Sequence, residues 1–214
     1  MKNATFKRKE LKYLITDIQR KELMRRLGDS IAEDIYTKYT ICNIYYDNDY
    51  FDSYNQSVQN SLLKEKIRER AYLNNLSNNV HYIELKKKYN GITYKRRVSV
   101  LETNSQIQKE IDWKISKNNF HPFLFISYYR EAYIVNSIRI TFDENIKYRN
   151  DNLDDIENSS GSALLENKIS VMEIKTDINY PIWLTSILTD LSVYPCSFSK
   201  YKMCFEKSFK GGIS

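Results

Sequence analysis

Histidine and cysteine are scarce, at two and three residues. Cys42, Cys196 and Cys204 are an odd number at no metal-ligand spacing, so neither a disulfide framework nor a structural zinc site is expected. The thiols read as reduced intracellular cysteines, and His81 and His121 as structural or surface side chains. Three prolines and five glycines leave little material for a linker. The chain has no glycine loop of the Walker kind, no Ser-His-Asp set that can be ordered and no histidine cluster. No stretch approaches the ~20 apolar residues of a membrane span, and the first residues, MKNATFKRKELKY, lack the apolar core of a signal peptide. These absences point to a cytoplasmic protein and leave room for a membrane-bound partner.

Charge and aromatic residues are what the chain does have. Its 214 residues are 42% hydrophobic and 28% charged, as in an ordered globular protein, and 18 of them are tyrosine. Neither a composition break nor a repeat of domain size divides it, so residues 1–214 read as one domain. The formal charge is +6, from 33 Lys and Arg against 27 Asp and Glu. So modest an excess favours an anionic partner only where the basic groups cluster.

Alternation predicts strands over 6–15, 36–47, 64–73, 80–89, 92–101, about 124–135, 137–149 and 168–176. Helices are expected from Thr16 to Gly28, with Ile18, Leu23, Met24 and Leu27 on the apolar side, over 103–117 on the Ile107, Ile111, Ile115 stripe, and over 181–192. Residues 48–62 read as a short helix and loop, 150–167 as a polar surface loop, and 197–207 as a final strand or short helix. About eight strands with several helices make an α+β domain built on an antiparallel sheet or barrel.

The charge falls on faces. Alternate residues of a strand share a side, so Lys66, Arg68 and Arg70 lie together, as do Glu84, Lys86 and Lys88. Lys95 pairs with Arg97 in the same sense, Arg139 goes with Thr141 and Asp143, and Glu173 with Lys175. Ile67, Leu85, Ile140 and Ile174 take the opposite faces. Glu-x-Lys recurs at Glu10 and Lys12, Glu84 and Lys86, and Glu173 and Lys175. If the apolar faces pack under helices, the basic faces either all see solvent or face one another across a lumen.

Asn90-Gly91 between two alternating runs is a strong hairpin signal. With those two as the loop, Tyr89 pairs with Ile92, Glu84 lies opposite Arg97, and Lys86 lies opposite Lys95. The last is a like-charge pair. At ~4 Å and an effective dielectric near 20 it repels by about 4 kcal/mol, which a bound polyanion or solvent would relieve. Mixed Arg and Lys suit phosphate, and interspersed carboxylates suit a divalent ion bridging to it. Nucleic acid is not expected, because no RNP, OB or helix-turn-helix signature accompanies the tyrosines.

The order ELKY (10–13), KIRER (66–70), YIELKKKYNG (82–91), KRRV (95–98), YYREAY (128–133), IRITFD (138–143), VMEIK (171–175) and FSKY (198–201) resembles the VTC-type polyphosphate polymerase domain. That domain belongs to the triphosphate tunnel metalloenzymes, related to CYTH proteins, and the likeness spans nearly the whole chain. It implies an antiparallel barrel around a basic tunnel with helices outside, Mn²⁺ or Mg²⁺ as cofactor, and ATP and inorganic polyphosphate as partners. The reaction it implies is transfer of the ATP γ-phosphate to a polyphosphate chain. By position Lys12, Arg68, Arg70, Lys86, Arg130, Arg139 and Lys200 match its catalytic cations and Glu173 its metal-binding glutamate. Lys66, Lys88, Lys95, Arg97 and Ser199 complete the phosphate-binding set. The chain departs from the CYTH-type Glu-x-Glu-x-Lys, since position 8 is Arg, which argues against a carboxylate-rich cage. Hydrolysis in the same tunnel and a binding-only module stand as alternatives.

Overall fold

The computed structural model describes residues 9–59, 61–73, 79–90, 92–102, 105–177 and 179–211, with Ile35 and Tyr36 as backbone only. The strands are β1 (Lys9–Thr16), β2 (Ile31–Asp47), β3 (Leu63–Leu73), β4 (Val80–Tyr89), β5 (Ile92–Ser99), β6 (His121–Val135), β7 (Ile138–Arg149), β8 (Ser162–Ala163) and β9 (Ile169–Thr176). The helices are α1 (Asp17–Leu27), α2 (Asp52–Val58), α3 (Gln106–Asn118), α4 (Ile182–Asp190) and α5 (Lys200–Phe209). The α+β class and eight long strands therefore match the sequence reading. The undecided segment 197–207 is helical. The first residues of the strand expected over 6–15 and of the helix expected over 103–117, together with Gly91, lie outside the described residues.

The hydrogen-bonded strand order is β1-β9-β7-β6-β2-β3-β4-β5, with β8 on β7 off this path. All the described ladders are antiparallel. Among the described residues no ladder joins β1 to β5, so the closure expected of a barrel is not shown. The same residues include no helix long and apolar enough to cross a membrane.

The chain divides into two compact units, and β2, β6 and β7 pass from one to the other. The first comprises 1–39, 129–145 and 165–198. Here the apolar face of β1, β9 and β7, with Tyr13, Ile15, Ile140, Phe142, Met172 and Ile174, packs against Leu23 and Leu27 of α1 and Leu184 and Leu188 of α4. Thr16 caps α1 reciprocally with Gln19, as a capping box does. Ile18 does not join this core and is 81% exposed. Nine residues at about 100° each put it on the far side of the helix from Leu27.

The second unit comprises 40–128, 146–164 and 199–214. Ile67, Ile83, Leu85 and Val98 of β3, β4 and β5 pack against Ile111 of α3, whose Ser105 accepts the Gln108 amide as its cap. The segment expected as a surface loop is partly buried instead. Ile156 joins Cys42, Ile44, Ala71 and Phe125 in a further cluster. Arg149 sits 3.5 Å above the Phe125 ring and donates to the carbonyls of Asn152, Asp155, Asn158 and Ser160, which ties the loop down. Cys42, Cys196 and Cys204 are free thiols, and burial pushes Cys42 up to about 12.

Candidate functional site

In the second unit the ladder registers build the site row by row. Tyr89 pairs with Ile92, Glu84 with Arg97 and Lys86 with Lys95, the register the turn predicts, and Asn90 takes the left-handed φ of 45° the turn needs. Because Lys66 pairs with Lys86 on the other side, three lysines stand in line across β3, β4 and β5. The adjacent row on the same face reads Tyr45, Arg68, Glu84, Arg97. The next reads Asn43, Arg70, Tyr82, Ser99, and Lys88 stands opposite Lys64 and Thr93.

Glu84 is the centre of this face. It is 1% exposed, and four cations surround it. Arg68 donates from Nε at 2.8 Å, with Nη2 at 2.7 Å from the same oxygen, and Lys95 Nζ lies 2.7 Å from the other. Arg70 and Arg97 are farther, at 3.8 and 3.9 Å. Burial alone would raise the Glu84 pKa. Arg68, Arg70 and Lys95 outweigh it and hold the carboxyl down at about 2. Tyrosines line the arginines. Arg68 Nη1 donates to Tyr45 Oη at 2.9 Å and Arg70 Nε to Asn43 Oδ1 at 2.8 Å. Arg97 stacks 3.5 Å over the Tyr82 ring. Burial would also raise Tyr45, yet Arg68, Arg70 and Lys66 bring it down to about 8. Lys66 donates to Ser199 Oγ at 3.3 Å and lies 5.2 Å from the Tyr201 ring centre, while Lys200, first residue of α5, lies 4.7 Å from that of Tyr128. Tyr201 Oη is anchored on the buried Asp47, which also accepts the amides of Ser53 and Tyr54 in α2.

The first unit carries its own cluster. Lys12, Glu173 and Thr141 form one row across β1, β9 and β7. Glu173 is 7% exposed. Its carboxylate lies 3.1 Å from Lys175 Nζ and 3.8 Å from both Lys12 Nζ and Arg130 Nη2. Arg130 grips the buried Asp143 bidentately at 2.6 and 2.7 Å. Arg139 pairs with Asp34 at 2.7 Å and stands across from Lys175.

Glu173 is the expected metal ligand, and the donors around it decide what ion fits. Among the described residues no three His, Cys, Asp or Glu side chains converge. Thr141, directly opposite Glu173 and fully buried, has an Oγ1 with no hydrogen-bond partner. One carboxylate beside an unsatisfied hydroxyl does not make a protein-only cage. It does fit a hard cation that draws most of its ligands from substrate phosphates and water.

The structure thus brings Lys66, Arg68, Arg70, Lys86, Lys88, Lys95 and Arg97 onto one face of the second unit, with Ser199 and Lys200 on the α5 side. It brings Lys12, Arg130 and Glu173 together in the first unit. Sequence reading missed Glu84 as more than one half of an ion pair. The register that set it opposite Arg97 was the available signal, and Arg68 on its other side followed from a pairing between strands the hairpin does not join. Asn43 and Tyr45 carried no signal and Tyr128 only its place in the YYREAY motif, because β2 and β6 bring them in from afar.

A model of the VTC domain family matches residues 7–209. No curated protein matches the chain in sequence. Among solved structures, the PH1819 protein of Pyrococcus horikoshii aligns over 94% of this chain and 99% of its own, at 18% identity and a TM-score of 0.56. A Hippeastrum protein named as a candidate adenylyl cyclase and described as having a dominant triphosphatase activity aligns over 93% and 94%, at 14% and 0.54. A candidate adenylate cyclase of Bacillus halodurans aligns over 94% and 96%, at 14% and 0.53. At these identities the likeness is one of fold.

Proposed function

Because the chain belongs to the VTC domain family, we propose that it acts as one domain, a phosphotransferase that moves the ATP γ-phosphate onto a polyphosphate chain in a basic tunnel. The observation that carries this reading is the row Lys66, Lys86, Lys95 beside the row Arg68, Glu84, Arg97. Like charges directly opposed on a sheet destabilise it, and a polyanion laid across them turns that cost into binding energy. Their strands step at ~4.8 Å, so one flexible chain of phosphates can meet several cations at once.

Arg68 and Arg70, two apart on β3, offer planar forks to neighbouring phosphate oxygens, while Lys66, Lys86 and Lys200 supply mobile charge. Lys12, Arg130 and Arg139, in the first unit, are assigned to the same reaction by the family resemblance. A terminal phosphate oxygen of the acceptor attacks the γ-phosphorus, the bond to the bridging oxygen breaks, and ADP leaves. The residues act by positioning and by stabilising charge on the transferring group, with no covalent protein intermediate. Mn²⁺ or Mg²⁺, held by Glu173 and the substrate phosphates, would neutralise part of that charge.

The test is to incubate the pure protein with ATP and Mn²⁺ and resolve long-chain polyphosphate from free phosphate. Long chains with matching ADP are expected. Free phosphate alone would make the chain a hydrolase. Tight polyphosphate binding without making or cleaving any phosphoanhydride in Mn²⁺, Mg²⁺ or Co²⁺ would make it a binding module.

A further inference from the structure

The geometry points to Glu84 as an internal counterion, a positioning residue that occupies the cations of the phosphate face until substrate takes them over. This deepens the proposed function and rests on it. Glu84 is placed for the role by register, since it stands at the middle of β4 between Arg68 of β3 and Arg97 of β5. Its carboxylate lies at the floor of the face, with 1% of the side chain exposed. The Lys95 and Arg97 side chains around it are 43% and 36% exposed. Lys95 and Arg97 therefore hold a buried anion on their inner side and keep an open outer side, while Arg68 and Arg70, 19% and 7% exposed, lie deeper. Phosphate approaching from that side meets groups already drawn together.

Charge counting supports the same conclusion. Four cations against one carboxylate leave three positive charges in excess. A structural ion pair would balance. Among the described residues no second carboxylate is paired with these four cations, so further negative charge is what would balance them. Arg68 spends two nitrogens on Glu84 and one on Tyr45, so its plane is fixed before any ligand binds. Such preorganisation lowers the ordering cost of binding. The carboxylate also competes with the ligand for the same donors, which weakens affinity and eases release.

The net of these two effects is read in one experiment. Tripolyphosphate binding is titrated calorimetrically on the wild type, Glu84→Gln and Glu84→Asp. Glu84→Gln keeps the shape and removes the competing charge, so it should bind tripolyphosphate on the order of tenfold more tightly, the worth of one charge-assisted contact. Glu84→Asp keeps the charge and should bind as the wild type does. Equal or weaker binding by a folded Glu84→Gln, or equal tightening in Glu84→Asp, overturns the counterion role. If Glu84→Gln does not fold alone, tripolyphosphate should restore its fold by taking the place of the carboxylate. A variant still unfolded at saturating tripolyphosphate overturns the role too. Failure of the wild type to bind either tripolyphosphate or ATP sinks the proposed function instead. In that case the counterion stands only if Glu84→Gln binds.

Discussion

Tyr45 is held between two opposing influences. Its burial favours the neutral phenol, and Arg68, Arg70 and Lys66 favour the phenolate more, so it titrates at about 8 in the folded protein. The unfolded value is about 10. With the folded pKa lower, the group adds stability as pH rises from about 8 towards 10 and adds none below that window. If phosphate binds these cations as proposed, the effect on its binding has the opposite sign, because a phenolate among the cations offsets their charge. Tripolyphosphate affinity should therefore fall as pH rises through about 8, and Tyr45→Phe should lose that inflection. An unchanged inflection in the variant would remove Tyr45 from the site. Arg70 gives a second prediction at this scale. Its side chain is 7% exposed and its guanidinium is hydrogen-bonded to Asn43. Losing one charge-assisted contact costs about 1.5–3 kcal/mol, roughly one to two decades. If Arg70 stabilises the transferring phosphoryl group, Arg70→Ala should lower turnover at saturating ATP as well as affinity, and Arg70→Lys should recover part. A loss confined to affinity would assign Arg70 to binding alone.

At the scale of elements, β3, β4 and β5 have two faces with opposite tasks. The apolar one is covered by α3, where Ile111 is fully buried against Ile67, Ile83, Leu85 and Val98. Ile111→Ala should lower unfolding stability by about 2–5 kcal/mol in a denaturant titration, the range for a large-to-small core change. The other face carries the lysine row, whose mutual repulsion works against the stability the core supplies. If tripolyphosphate binds the folded face as proposed, it should raise the melting temperature well beyond chloride at matched ionic strength. Equal shifts from the two salts would reduce the effect to general screening.

For the whole molecule, the family match over 7–209 covers residues of both units. Glu173 lies in the first and Arg70 in the second. Glu173→Gln removes the ligand charge and leaves every proposed phosphate-binding cation, so metal-dependent turnover should vanish while tripolyphosphate binding persists. Unchanged turnover would take Glu173 out of the mechanism. If the two residues serve one reaction, adding Arg70→Ala to Glu173→Gln should cost little more turnover than the worse single change, since groups acting as a unit are not additive. Fully multiplicative losses would argue that they act independently.

Strand and helix alternation in the sequence determined by itself which side chains share a face, because period-2 spacing needs no knowledge of what lies across the strand. It also determined the β4–β5 register, because Asn90 and Gly91 act locally. It could not decide Ile18, whose surroundings depend on how α1 lies on its sheet, or Ile156, which the Arg149 contacts and the Phe125 cluster draw inward. Family likeness supplied the order of motifs. Only tertiary structure decided that Glu84 would be buried under four cations. Arg68 and Arg70 come from β3, and Lys95 and Arg97 from β5. Whether a charged side chain between them is solvated or enclosed depends on long-range pairing and on Tyr45 and Tyr128, brought in by β2 and β6. Contacts of that kind leave no period in the chain to read.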